Sequence, residues 1–124
     1  MITIDRFQEL ADEAAADIPQ EFFDHLNGGI VILPQRKLHP ESRPESPLCV
    51  MGEYTHSHMM GRNILLYYGS IMSGYGHLDD ESLKNEIRRI ILHEFTHHLE
   101  SLAGTNQLEV DDAVRLRRYL SQFE

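Results

Sequence analysis

Only one cysteine, Cys49, occurs in the chain. No intrachain disulfide can form and no cysteine-rich zinc ribbon can be built, so any metal here must be held by nitrogen and oxygen. Basic residues are also few: 11 lysines and arginines stand against 20 aspartates and glutamates, a formal net charge of -9. A surface of that sign repels a phosphate backbone, which argues against nucleic acid as a partner. No apolar run approaches the ~18 residues of a membrane span, so no membrane partner is expected. The opening stretch, "MITIDRFQELADEAAAD", has neither the basic start nor the apolar centre of a secretory signal, and a cytoplasmic location is the expectation. Internal repeats and low-complexity segments are missing too.

What remains is the composition of one folded domain. The 124 residues are 41% hydrophobic and 25% charged, enough for a single core spanning residues 1–124 but not for two. The 8 histidines are the unusual feature. An unperturbed histidine titrates near pH ~6.5, so a histidine-rich chain is expected to have its acidic balance softened under mildly acid conditions.

Hydrophobic spacing divides the chain into elements. Phe7, Leu10, Ala11, Ala14 and Ile18 recur at helical intervals, with Thr3 placed to cap the start and Pro19 to end the pattern. A second, short helix is expected over "PQEFFDHLN", stopped by Gly28 and Gly29, and "IVILP" reads as a buried strand. Residues 34–47 hold four of the 5 prolines and read as a surface loop. "LCVMGEY" (48–54) and "RNILLYYGSIM" (62–72) are expected strands, joined by the loop "THSHMMG". The longest helix is expected from about residue 81 to Ala103, capped by Asp79 or Asp80 and ended by Gly104 in the left-handed conformation. Asp111 and Asp112 open a last helix carrying Val114, Leu116 and Leu120. Helices flanking a small sheet make an α+β domain.

The chemistry concentrates in "IILHEFTHHLESLAG", residues 90–104. At ~100° per residue, Leu83, Ile87, Ile90, Ile91, Phe95, Leu99 and Leu102 share one broad side. His93, His97 and Glu100 fall within ~60° of one another on roughly the opposite side. Histidines at i and i+4 stand one turn apart, which lets both imidazoles reach a single ion at about 2.0–2.1 Å. Glu94 lies at the edge of that arc, where a carboxylate can hydrogen-bond a metal-held water without displacing it. The bland alternative is a solvated helix face in a histidine-rich chain. It accounts for composition but not for three ligand-type side chains pointing together.

The string "HEFTHHLE" resembles the HExxH signature of zinc metallopeptidases, the zincins. More narrowly, the chain looks like the small bacterial zincin-like metallopeptidase family, a minimal zincin. The likeness extends over the "DRFQELADEAAADIPQEF" opening, the Gly-x-Tyr of "GEY", the "RNILLYYGS" strand and the active-site helix. It implies a minimal zincin-like fold, with a small mixed sheet packed against the HExxH helix, and zinc-dependent hydrolysis of peptide or protein substrates. Glu94 would be the catalytic carboxylate and His93 and His97 zinc ligands.

Many members of that family read HExxHxxGxxD, but here Glu100 stands at the glycine and Ala103 at the aspartate. The third ligand therefore does not carry over directly. Glu100 can serve if the helix continues. Alternatively "SLAGTNQ" returns the chain and "LEVDD" supplies the acid, with Asp112 first and Glu109 or Asp111 behind it, because "VDDAVRL" resembles the family's segment after its aspartate. The acid left over would support a histidine from behind, or, for Asp111 and Asp112, simply cap a helix.

Tyr67, Tyr68, Tyr119 and His98 are possible oxyanion stabilisers, each more commonly a core or surface residue. The pair His56 and His58 lacks a nearby acid and reads as exposed loop. Cys49, among Leu48, Val50 and Met51, reads as a buried inert thiol. The strand "RNILLYYGS" could offer an edge to an extended peptide, although core packing explains its apolar content equally well. Two functions stay open: a zinc-dependent peptidase, or a non-catalytic zincin-fold module that binds metal or peptide. Glu94 favours the first, since a ligand-only site has no need of it.

Overall fold

The computed structural model describes residues 2–105 and 110–122, and the side chains of Val110 and Asp111 lie outside that description. Helix α1 (Ile4–Ala16) starts where expected, because the Thr3 side chain accepts a hydrogen bond from the Arg6 N–H. Its buried residues, Phe7, Leu10, Ala11 and Ala14, recur every three or four positions and pack along the long helix. A one-turn 3-10 helix, Gln20–Phe23, follows in place of the expected short α-helix.

The strands are β1 (Gly29–Leu33), β2 (Lys37–Leu38), β3 (Cys49–Val50), β4 (Gly52–Ser57) and β5 (Gly61–Tyr67). β5 is the central strand of a mixed sheet in the order β1-β5-β4, parallel to β1 and antiparallel to β4, while β2 and β3 form a separate antiparallel pair. Three sequence-based expectations change here. β5 has partners on both sides and offers no edge to a peptide; the edge beside the long helix is β4. β1 is also an edge, half-buried rather than buried. The run "RNILLYYGSIM" changes type within itself, since helix α2 (Tyr68–Tyr75) begins directly after β5. An apolar run of that length carries no periodicity that separates strand from helix.

Helix α3 (Asp80–Gly104) is 25 residues long and carries the core through Leu83, Ile87, Ile90, Ile91, Leu92, Phe95, Leu99 and Leu102. Asp79 caps it, accepting the Ser82 N–H at 2.7 Å, and Arg6 reaches Asp80 at 3.0 Å to tie the starts of α1 and α3 together. Gly104 is the last helical residue and does not adopt a left-handed conformation; Thr105 takes the cap. Helix α4 (Val110–Ser121) packs on α3, burying Leu116 and Leu120. The architecture is α+β, as the spacing implied. Among the described residues no helix is long and apolar enough to cross a membrane.

The cap makes a test of the helix start. The backbone and hydroxyl of Ser82 hold the Asp79 carboxyl below its ordinary value of 3.8. A group whose pKa is depressed on folding contributes stability above its unfolded value and loses it as pH falls through the folded one. Asp79→Ala is therefore expected to lower the thermal midpoint at pH 7, and the gap from the native chain is expected to close as pH falls below about 4. Melting both chains by circular dichroism across pH checks this; a gap that does not change with pH would refute it.

Candidate active site

The site is built where α3 passes the edge strand β4. Glu94 points inward and is only 6% exposed, whereas His93 and His97, on the adjoining face, are exposed. The two imidazole rings lie 5.4 Å apart centre to centre and nearly perpendicular, at 87°. With Gly52, Glu53 and Tyr54 of β4, these three residues line an open cavity of about 490 Å³.

Gly52 and Tyr54 explain how the strand comes so close. A Cβ placed on Gly52 would meet the Ile90 Cγ2 at 3.0 Å and the Glu94 Cγ at 3.4 Å, so a side chain there would push strand and helix apart. Tyr54 grips α3 twice. Its backbone N–H donates to the Glu94 carboxylate, and its hydroxyl lies 2.9 Å from the Nδ1 of His98. The other ring nitrogen of His98, Nε2, is 2.8 Å from the Asp24 carbonyl oxygen, which can only accept. Nε2–H therefore donates there, and Nδ1 accepts from Tyr54. His98 is wholly buried, and burial lowers its pKa, which keeps the ring neutral and this chain of hydrogen bonds intact.

Burial raises the pKa of Glu94, against the opposing pull of His93 and His97; the charge of nearby Glu53 adds to the rise. A carboxylate with a raised pKa is a better proton acceptor than a solvated one. Glu53 is held ionised by Lys37 and by the Tyr67 hydroxyl, which donates to it at 2.6 Å. The Lys37–Glu53–Tyr67 cluster escaped the sequence reading because its members lie on three strands. "GEY" was the local signal for Tyr54.

The acids proposed as third ligand fall in different places. Glu100 stays beside the pair, with Oε2 3.7 Å from the His97 Nδ1, an ion-pair distance rather than a hydrogen bond. Asp112 is not brought to the histidines. It pairs with Arg115 at 2.8 Å, and Arg115 also holds Glu21, in a separate cavity bounded by Leu99 and Leu102 on the apolar side of α3. Glu109 and the side chain of Asp111 lie outside the described residues. Among the described residues no three metal-ligating side chains converge. The histidine pair suits zinc in donor type and spacing, and it supplies two of the three protein ligands such a site needs.

The remaining sequence candidates are committed elsewhere. The Tyr67 hydroxyl serves Glu53, the Tyr68 hydroxyl donates to the Ile2 carbonyl, and Tyr119 packs on Phe22. His56 and His58 are exposed, as expected, but His56 lies in β4, which runs on to Ser57, and not in a loop. Cys49 is half-buried rather than buried, and the Arg36 Nε donates to its sulfur at 3.3 Å.

This arrangement coincides with a family match. Residues 34–114 fit the family described as zincin-like metallopeptidase, a span running from the end of β1 into α4. The chain belongs to the zincin-like metallopeptidase family. A solved structure, a conserved hypothetical protein from Thermo thermophilus, is similar at 33% sequence identity with a TM-score of 0.68, over 83% of this chain and 99% of that one. No curated protein matches. The family span of this zincin-like chain contains every residue of the β4–α3 cavity, while α1 lies before it.

Proposed function

We propose that the chain is a zinc-dependent peptidase with Glu94 as its proton-transfer group. One observation carries the reading: a buried carboxylate, held by a strand N–H and flanked by two imidazoles one turn apart, opens onto a cavity against a sheet edge. His93 and His97 would hold the zinc. Of the two described acids among the four suggested by sequence, Glu100 lies beside the histidines and Asp112 does not, so Glu100 is the first candidate for third ligand, with Asp112, Glu109 and Asp111 behind it. A zinc ion held there would supply polarisation of a peptide carbonyl and a lowered water pKa, towards ~7. Glu94 would accept the proton of the attacking water and pass it to the departing amine. β4 presents its outer edge to the peptide backbone, and the Tyr54 grip on Glu94 and His98 keeps the carboxylate aimed.

A non-catalytic binding module is the second reading, favoured by the lack of three converging ligands among the described residues. Burial of Glu94 counts against it, because a carboxylate with no proton to move gains nothing from being desolvated. Protein purified without added metal is expected to carry about one zinc ion per chain, and His97→Ala to lose it. Elemental analysis checks this, and full zinc content in the variant removes the site. Fluorogenic peptide libraries then separate the two readings, since a binding module turns none of them over.

A further inference from the structure

The β4–β5 hairpin runs past the rest of its sheet, because the pairing of β1 with β5 starts only at Asn63. Its last pair is Ser57 with Gly61, and the turn between them is His58, Met59 and Met60. Gly61, at φ 70, takes the left-handed position that closes a three-residue turn. The Met60 N–H donates to the Ser57 hydroxyl at 2.9 Å, and the Gly28 N–H donates to the Arg62 carbonyl at 2.8 Å. The tip is therefore held both from within and from the neighbouring chain.

Four side chains with nitrogen or sulfur donors stand on the five residues 56–60: His56, His58, Met59 and Met60. All are exposed, Met59 at 94% and Met60 at 69%. Exposed thioethers bury no apolar surface, and the turn itself asks for glycine, asparagine, aspartate or serine. Among the described residues no hydrogen bond or ion pair engages either imidazole. The sequence has no acid between Glu53 and Asp79, and no trio of histidine, cysteine or carboxylate side chains gathers among the described residues. Calcium and magnesium need oxygen ligands, and zinc takes nitrogen, oxygen or thiolate, so at this tip zinc would find only two imidazoles. Thioether sulfur is a soft donor suited to Cu(I), and imidazole also suits copper.

We propose that the hairpin tip is a Cu(I) site, in which the sulfurs of Met59 and Met60 and the imidazoles of His56 and His58 close on one cuprous ion. It uses none of the residues that line the β4–α3 cavity, and it does not depend on the peptidase reading. The test is anaerobic titration of the zinc-supplied chain with Cu(I) buffered by bicinchoninate, read by methionine methyl NMR and by copper X-ray absorption. One equivalent is expected to shift the methyls of Met59 and Met60, to leave those of Met51 and Met72 in place, and to give copper–sulfur scattering. Met59→Leu combined with Met60→Leu keeps the apolar bulk of an exposed turn and removes both sulfurs, so the fold is retained while tight Cu(I) uptake and sulfur scattering are lost. His56→Gln with His58→Gln is expected to weaken uptake but keep the sulfur signal. His93→Ala with His97→Ala is expected to leave the methyl shifts as they are. Excess zinc in place of Cu(I) is expected to move neither methyl. Unmoved Met59 and Met60 methyls, equal uptake by the leucine variant, or the same shifts with zinc overturn the proposal. Loss of the shifts in the His93 and His97 variant would put the ion on α3 and overturn it as well.

Discussion

Glu94→Gln is expected to reduce peptide hydrolysis by about a hundredfold to ten-thousandfold, the range removed with a positioned proton-transfer group, while zinc content stays unchanged. The amide keeps the shape and most of the hydrogen-bonding capacity of the carboxylate, so it can still accept the Tyr54 N–H and fill the space against Gly52. What it cannot do is take a proton from water. The fall should appear in kcat with little change in KM, because the contact is made in the transition state and not in substrate binding. Steady-state kinetics alongside elemental analysis decides the matter. An active Glu94→Gln chain would move the proton transfer to another residue, and loss of zinc with activity would mean Glu94 holds the site together instead.

The second large effect is on stability. Phe95→Ala is expected to destabilise the chain by about 3–5 kcal/mol, the usual range for truncating a buried aromatic. Phe95 is fully buried, packs against Phe22 at 5.4 Å and Phe23 at 5.2 Å between ring centres, and stands 6.0 Å from the ring of His98. It is thus the contact through which the 3-10 helix and α3 share one core, at the level of α3 where Glu94 and His98 meet β4. A domain of this size has roughly 5–15 kcal/mol in hand, so the loss is a large fraction of the whole. Phe95→Leu, which refills most of the space, should recover much of it. Urea unfolding gives the comparison, and a cost below about 1 kcal/mol for the alanine variant would show that the site collapses freely around the gap.

Much of this was written locally. The starts of α1 and α3, the apolar side of α3 and the pairing of His93 with His97 follow from spacing within one helix, where neighbours in space are three or four residues apart in sequence. His98, which falls on the same broad side of the helix as Ile91 and Phe95, is wholly buried. Other features depended on distant partners. "RNILLYYGSIM" turns from strand to helix at Tyr68, and β5 became the centre of the sheet only by pairing with both β1 and β4. The two-residue β2 inside a proline-rich stretch exists because β3 pairs with it.

The sequence by itself determined the chemistry available: nitrogen and oxygen donors in place of thiolates, two imidazoles one helical turn apart, and a carboxylate beside them. Only the tertiary structure decided that Glu94 is buried and gripped by Tyr54, that β4 is the edge beside it, and that Asp112 pairs with Arg115 away from the histidines. The reason is physical. Helical periodicity fixes which side chains share a face, but desolvation and strand partnership arise from segments tens of residues apart, and no local pattern encodes which of them will meet.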